Sequence, residues 1–173
     1  NALDTGDIET ELITYVIEDP QGNSNTATLT VTVTGINDSP IAVVDASAIT
    51  EDAVPNTASG NVITANDTDP ESDTLEISGV TFGGVAQTIG ASFATTYGDM
   101  VISANGDFTF TLDNARAATN ALDVGDAPTE TITYQIRDTD GNTDTATLTV
   151  TVNGANDAPV AVVATGAGTE NET

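Results

Sequence analysis

The sequence contains no cysteine, no histidine, no tryptophan and no lysine, and its only cations are Arg116 and Arg137. Without thiols or imidazoles there can be no disulfides, no thiol nucleophile, no zinc site built on Cys or His, and no imidazole general base. Aromatic residues make up 4% of the chain, so a core must be assembled from Val, Ile, Leu and Ala. No apolar run approaches the roughly 20 residues that cross a bilayer, which leaves no candidate for direct membrane insertion. The chain opens on Asn1 with no leader, and so reads as a fragment or a processed product.

Positive charge is the scarcest commodity. Against 2 basic residues stand 27 acidic ones, for a net charge of −25. Such a chain repels phosphate, which argues against nucleic acid as a partner, and it repels anionic membranes. Internal ion pairs cannot neutralise the acids. Either the carboxylates stay dispersed in water or metal cations collect them. A secreted β-protein without disulfides also needs another source of rigidity, and calcium, which takes oxygen ligands only, is one.

What is present is a duplication. Asn1-Ala2-Leu3-Asp4 returns as Asn120-Ala121-Leu122-Asp123, and at an offset of 119 residues 33 of the 54 pairs from Asn1–Val54 onto Asn120–Thr173 are identical without a gap. A period of that length marks an array of domains rather than a solenoid of small units. The unit boundaries fall so that 1–38 is the C-terminal part of a preceding repeat, 39–157 one complete repeat, and 158–173 the start of a following one. Two strands in 1–38 are too few for a core, so that tail calls for a cover from outside 39–157, either another chain or more of the same one.

Strands dominate the reading. Thr145–Val152 alternates strictly, with Ala146, Leu148, Val150 and Val152 on one face, and Ile132, Tyr134 and Ile136 alternate one strand earlier. Asp140-Gly141-Asn142 and Asn105-Gly106 are hairpin turns. Further strands are predicted at Ile41–Val44, Gly60–Ala65, Thr74–Phe82, Val85–Ile89, Ser92–Tyr97, Met100–Ser103 and Phe108–Leu112, with one turn of helix in Asn114–Leu122. Seven or more short strands separated by turns predict an all-β, Greek-key β-sandwich, and the duplication puts it in a tandem repeat array.

The acids are not scattered evenly. They gather at Glu51-Asp52; at Asp67, Asp69, Glu71 and Asp73; at Asp123 and Asp126, matched by Asp4 and Asp7; and at Asn156-Asp157, matched by Asn37-Asp38. A weaker group lies in the hairpin Asp138–Asp144. Any one cluster alone reads as a solvated turn. Together they read differently, because two bare carboxylates about 4 Å apart repel by roughly 4 kcal/mol at an effective dielectric near 20. With no lysine available, a divalent cation offsets that cost, and calcium accepts about six to eight oxygens. The hairpin string Asp138–Asp144 lacks the bidentate Glu of a helix-flanked calcium loop and sits between strands; it reads as a plain turn with Asp138 as its one candidate ligand.

The order YGDMVISANGDFTFTLDN, NALDVGD, TETITYQIRDTDGNTDTATLTVTVNGANDAP from Tyr97 to Pro159 resembles the VCBS repeat of large bacterial surface proteins of the RTX adhesin type. The preceding ITEDAVPNTASGNVITANDTDPESDTLEI looks like the start of a bacterial cadherin-like domain. The resemblance implies calcium ligands between consecutive domains: Glu51 for the early Glu, Asp67 and Asp69 for the Asp-x-Asp motif, Asp123 and Asp126 for the Leu-Asp motif, Asn156 and Asp157 for the linker. Gly154 stands where cadherins carry an acid. One junction then joins Asp4, Asp7, Asn37 and Asp38 to Asp67, Asp69 and Asp138. The second holds Glu51, Asp123, Asp126, Asn156 and Asp157 and awaits a downstream domain.

These features point to a non-enzymatic extender on the bacterial surface or in a secreted protein, with adjacent repeats as partners and Ca2+ as the bound ion. A second reading is an adhesion module of a biofilm or matrix protein, homophilic through calcium or ligand-binding. The absence of Trp argues against a sugar platform, and the row Thr147, Thr149, Thr151 reads as a solvent face rather than an ice or crystal template. Paired carboxylates of a glycosidase are the least favoured reading, because acids that recur at domain ends do not line a cleft.

Overall fold

The computed structural model describes residues 3–159 together with 161, 163, 165 and 166. The chain first makes a hairpin of β1 (Ile8–Glu18) and β2 (Ser24–Thr34), which pair with each other and, among the described residues, with no other strand. Then follow β3 (Asp45–Thr50), β4 (Thr57–Asn61), α1 (Val62–Asn66), β5 (Glu76–Phe82), β6 (Val85–Ala86), β7 (Phe93–Ala94), β8 (Gly98–Ile102), β9 (Asp107–Leu112), β10 (Thr129–Arg137) and β11 (Thr143–Asn153).

These form two sheets, in the order β3-β11-β10-β5-β6 and β4-β9-β8-β7. Every pairing is antiparallel except β3 with β11, which is parallel. The chain changes sheet between β3 and β4, between β4 and β5, between β6 and β7, and between β9 and β10, so the sandwich predicted from the alternating pattern is the one observed. Between the sheets lie Ile132, Tyr134, Ile136, Leu148, Val150 and Val152 from one side and Met100, Ile102, Phe110 and Leu112 from the other, all buried. Cross-strand partners Ile132↔Leu148 and Tyr134↔Ala146 set the register, and a one-residue slip of either strand would turn its own apolar set to solvent.

Three sequence expectations change. Ile41–Val44 is not a strand; only an isolated bridge joins Ile41 to Thr68, and β3 begins at Asp45. The reason is that carboxylates take the amides: Asp144 Oδ2 accepts from Ala42 N–H at 2.9 Å and Asp67 Oδ1 from Val43 N–H at 2.7 Å. Gly60–Ala65 is not one strand either. β4 stops at Asn61, whose Oδ1 caps α1 by accepting from Ile63 and Thr64 N–H at 2.9 and 2.8 Å. Asn114–Leu122 makes turns rather than helix. There Arg116 is drawn into the fold, pairing with Asp99 at 2.9 Å and Asp113 at 3.2 Å. The other cation, Arg137, pairs with Glu76.

Candidate metal centre

The junction between the N-terminal hairpin and the sandwich begins with a short linker. Gly35 N–H donates to Asp7 O at 2.9 Å, and Asp7 N–H to Asp4 O at 2.9 Å, so the start of β1 and the end of β2 are tied at one point. A Cβ on Gly35 would sit 2.2 Å from Asp4 O, so only glycine fits. The linker then lies across the turn after β10. Asn37 N–H donates to Thr5 Oγ1 at 3.0 Å, Asn37 Nδ2 to Asp138 Oδ2 at 2.8 Å, and Asn142 Nδ2 to Asp38 O at 3.3 Å.

Three carboxylates meet here from three separate loops. Asp4, Asp73 and Asp140 each offer an oxygen, and all three lie within 4.8 Å of one another. Partial desolvation, then the charges of Asp4, Asp73 and Asp138, raise the Asp140 carboxyl above its ordinary range. Burial alone would raise Asp138, which is 3% exposed, but bonds from Asn37 and from the Asn142 and Gly141 amides outweigh it and hold the carboxyl below its usual range. An open groove of about 450 Å³, lined in part by Thr74, Glu76, Arg137, Asp138 and Asp140, runs beside the cluster.

The loop that delivers Asp73 is folded around Asp69. Asp69 Oδ1 accepts from Glu71 N–H at 2.9 Å and from Asp73 N–H at 3.1 Å. Ser72 between them takes a left-handed conformation, φ 74°, which costs a non-glycine residue on the order of 1 kcal/mol or more. Glu71 Oε2 accepts from Asp38 N–H at 3.3 Å, and desolvation, then the charges of Asp38 and Asp69, raise its carboxyl against the opposing hydrogen bonds. Three side-chain oxygens of this junction, Asn37 Oδ1, Asp69 Oδ2 and Glu71 Oε1, are buried with no hydrogen-bond partner. Orphaned acceptors, an all-oxygen donor set and no competing ammonium are what a hard cation requires.

Asp67 turns elsewhere. Its carboxylate accepts from Val43 N–H and lies 3.4 Å from the Tyr134 hydroxyl, which is itself 2.7 Å from Asp45 Oδ2 and 2.8 Å from Val43 O. Desolvation, followed by the charges of Asp45 and Asp144, pushes Asp67 up to about 6. Burial and the facing carboxylates push the Tyr134 hydroxyl upward as well. Asp67 and Asp69, two residues apart, therefore serve different partners.

At the far end of the sandwich the same closure recurs. Gly154 N–H donates to Asp126 O and Asp126 N–H to Asp123 O, both at 2.9 Å, while Asp126 Oδ2 accepts from Asp123 N–H. Glu51, 2% exposed, accepts from Ala155 N–H at 3.2 Å through Oε2, and its Oε1 has no partner. Asp52 beside it has φ 59°. Asn156 Nδ2 donates to Asp157 O at 3.1 Å, as Asn37 Nδ2 does to Asp38 O at 2.7 Å. The head at 158–173 falls largely outside the described residues.

A family profile for the bacterial cadherin-like domain matches residues 37–154. The chain belongs to that family. Its cadherin-like domain is also similar to solved structures. The extracellular cadherin domains 1–4 of protocadherin gamma B7 are 12% identical at a TM-score of 0.43, with 86% of this chain and 42% of that one covered. Mouse clustered protocadherin PcdhgC3, domains 1–3, is 17% identical at 0.40, covering 89% and 56%. A nucleoside hydrolase-related hypothetical protein from Saccharophagus degradans, described as associated with carbohydrate metabolism, is 17% identical at 0.39, covering 68% and 26%. The chain thus spans between 26% and 56% of the length of these structures. No curated protein sequence matches it.

Where the hairpin meets the cadherin-like domain, Asp4, Asn37, Asp38, Asp69 and Asp138 come to one junction, and Asp7 holds the hairpin end. Gly154 has a steric reason for replacing an acid, since a Cβ there would lie 2.4 Å from Asp123 O. Three residues of the junction were not singled out as ligands from sequence: Glu71, Asp73 and Asp140. The first two stood in the NDTDPESD string, and Asp140 in a turn that explained itself locally.

Proposed function

We propose that this chain is a calcium-stabilised extender of a VCBS-type, RTX-like bacterial adhesin, exposed at the cell surface or secreted. Ca2+ at each inter-domain junction holds successive cadherin-like repeats in line. The observation that carries this reading is the meeting of Asp4, from the N-terminal hairpin, with Asp73 and Asp140, from two loops of the complete domain. Both arginines are engaged by other carboxylates: Arg116 by Asp99 and Asp113, and Arg137, which lines the groove beside the cluster, by Glu76. The buried, unpartnered acceptor oxygens of Asn37, Asp69 and Glu71 belong to the same junction and share the oxygen-only chemistry that calcium takes. Asp138 and Asp38 shape the linker around it. Glu51, with an orphaned oxygen, is the matching half-site at the other end, completed by Asp123, Asp126, Asn156, Asp157 and a following repeat.

The function is mechanical and organisational, with no catalysis. Among the described residues no helix is long and apolar enough to cross a membrane. The test is a titration of the metal-free chain with CaCl2 and with MgCl2, read by calorimetry, thermal melting and small-angle scattering. Calcium is expected to bind near 10⁻⁴ to 10⁻³ M, raise the melting temperature and narrow the angle distribution between hairpin and sandwich. A chain that takes up no calcium at 10⁻² M, or whose scattering is unchanged by saturation, overturns the proposal.

A further inference from the structure

We infer that the inner face of the β1–β2 hairpin is a docking surface for a polypeptide segment built like residues 39–119 of this chain. The hairpin duplicates β10–β11. Eight of the ten inward positions are identical: Glu11, Ile13, Tyr15, Ile17, Ala27, Leu29, Val31 and Val33 repeat as Glu130, Ile132, Tyr134, Ile136, Ala146, Leu148, Val150 and Val152, and only the ends differ, Glu9 against Pro128 and Asn25 against Asp144. The register repeats too, Ile13↔Leu29 and Tyr15↔Ala27 against Ile132↔Leu148 and Tyr134↔Ala146. So does the glycine closure at the base. Yet Tyr134 and Leu148 are 0% exposed, whereas Tyr15 and Leu29 are 48% and 51% exposed.

The complete domain says what chemistry the missing cover must have. Glu130, buried on an otherwise apolar face, accepts the Tyr97 N–H at 2.7 Å. The Tyr134 hydroxyl is held by the Val43 carbonyl and the Asp45 carboxylate. Glu11 and Tyr15 carry the same groups and find no such partners among the described residues. A cover of bare hydrocarbon would bury Glu11 unpaired, at a cost no apolar contact offsets. The occupant therefore brings a backbone N–H opposite Glu11, a carbonyl and a carboxyl opposite Tyr15, and an apolar sheet equivalent to β4-β9-β8-β7 above Ile13, Leu29 and Val31. A second copy of this chain does not offer these groups free, because its own β10–β11 already occupies them. We rest this on the duplication and on the tandem-array part of the proposed function, not on calcium, and working in EDTA keeps the two separable.

The experiment extends the chain at its N-terminus with another copy of residues 39–119, so that residue 119 runs into Asn1 as it runs into Asn120. Hydrogen exchange is followed by mass spectrometry in EDTA, with β10–β11 as the internal standard. In the extended chain β1–β2 amides are expected to slow by about a hundredfold or more, towards the β10–β11 values. Ile13→Asp should return them to fast exchange; Leu12→Asp, on the opposite face of the same strand, should not. Fast β1–β2 exchange in the extended chain overturns the inference. So does protection that survives Ile13→Asp, or a β1–β2 hairpin already protected in the unextended chain, whether as a monomer or as a dimer.

Discussion

Asp73→Asn is the most informative single substitution, because it should act with opposite sign in the presence and absence of calcium. The amide keeps the shape of the side chain and leaves an oxygen for Thr139, whose hydroxyl donates to Asp73 Oδ2 at 2.7 Å. What it removes is one of three negative charges that meet within 4.8 Å. In EDTA that relieves repulsion between partly exposed groups, worth about 0.5 kcal/mol after solvent screening. For a domain of this size such a gain raises Tm by about 2 °C. With 10⁻² M calcium, a site of Kd near 10⁻⁴ M stabilises the folded wild type by about 2.7 kcal/mol, or about 10 °C. Losing one charged ligand at a tenfold cost in affinity removes about 1.4 kcal/mol of that, close to half the shift. Paired calorimetric melts of both proteins in both buffers read all four numbers. If Asp73→Asn moves Tm in the same direction with and without calcium, the carboxylate is an ordinary structural group and the metal centre is misassigned.

Asp67 sets a pH dependence. Its carboxyl is raised to about 6 from 3.8, so in EDTA its stabilising contribution is full below pH 4 and is lost as pH climbs through 6. Tm of the metal-free chain should fall over that window, and Asp67→Asn should flatten the fall; an unchanged slope refutes the assignment. Tyr134→Phe removes the hydroxyl that Asp45 and Val43 share and should cost about 1–2 kcal/mol in urea denaturation. Tyr15→Phe, in the exposed hairpin, should leave the main transition where it is. Gly154→Ala forces a Cβ against the Asp123 carbonyl and should destabilise the sandwich by about 2 kcal/mol or more, whereas Gly35→Ala should disturb only the hairpin.

Wherever one residue type repeats on a fixed period, the fold was legible. Thr145–Val152 alternates without exception, and the strand, its face and its partners follow. The failures have longer-range causes. Ile41-Ala42-Val43-Val44 has a strand's composition, but the amides of Ala42 and Val43 are taken by Asp144 and Asp67, which no local pattern brings near. Val62 and Ile63 are β-branched and read as strand, yet Asn61 caps a helix there; the Asn was visible and its preference for a cap outweighed propensity. At the candidate metal centre, the linker pair Asn37-Asp38 and the Leu-Asp residue Asp4 could be placed because the duplication repeats them. Asp73 and Asp140 could not, since each has a sufficient local role in a turn and only the folded sandwich brings the two loops together.

The parallel pairing of β3 with β11 has a consequence for a chain pulled by its two ends. The first strand of the sandwich and the last run side by side in the same direction, Leu148 opposite Asp45 through Asn153 opposite Thr50. Tension applied at opposite ends slides one strand along the other, so the ladder is loaded in shear. Its hydrogen bonds must then yield together instead of unzipping one at a time, which gives the domain resistance to stretching out of proportion to its modest core.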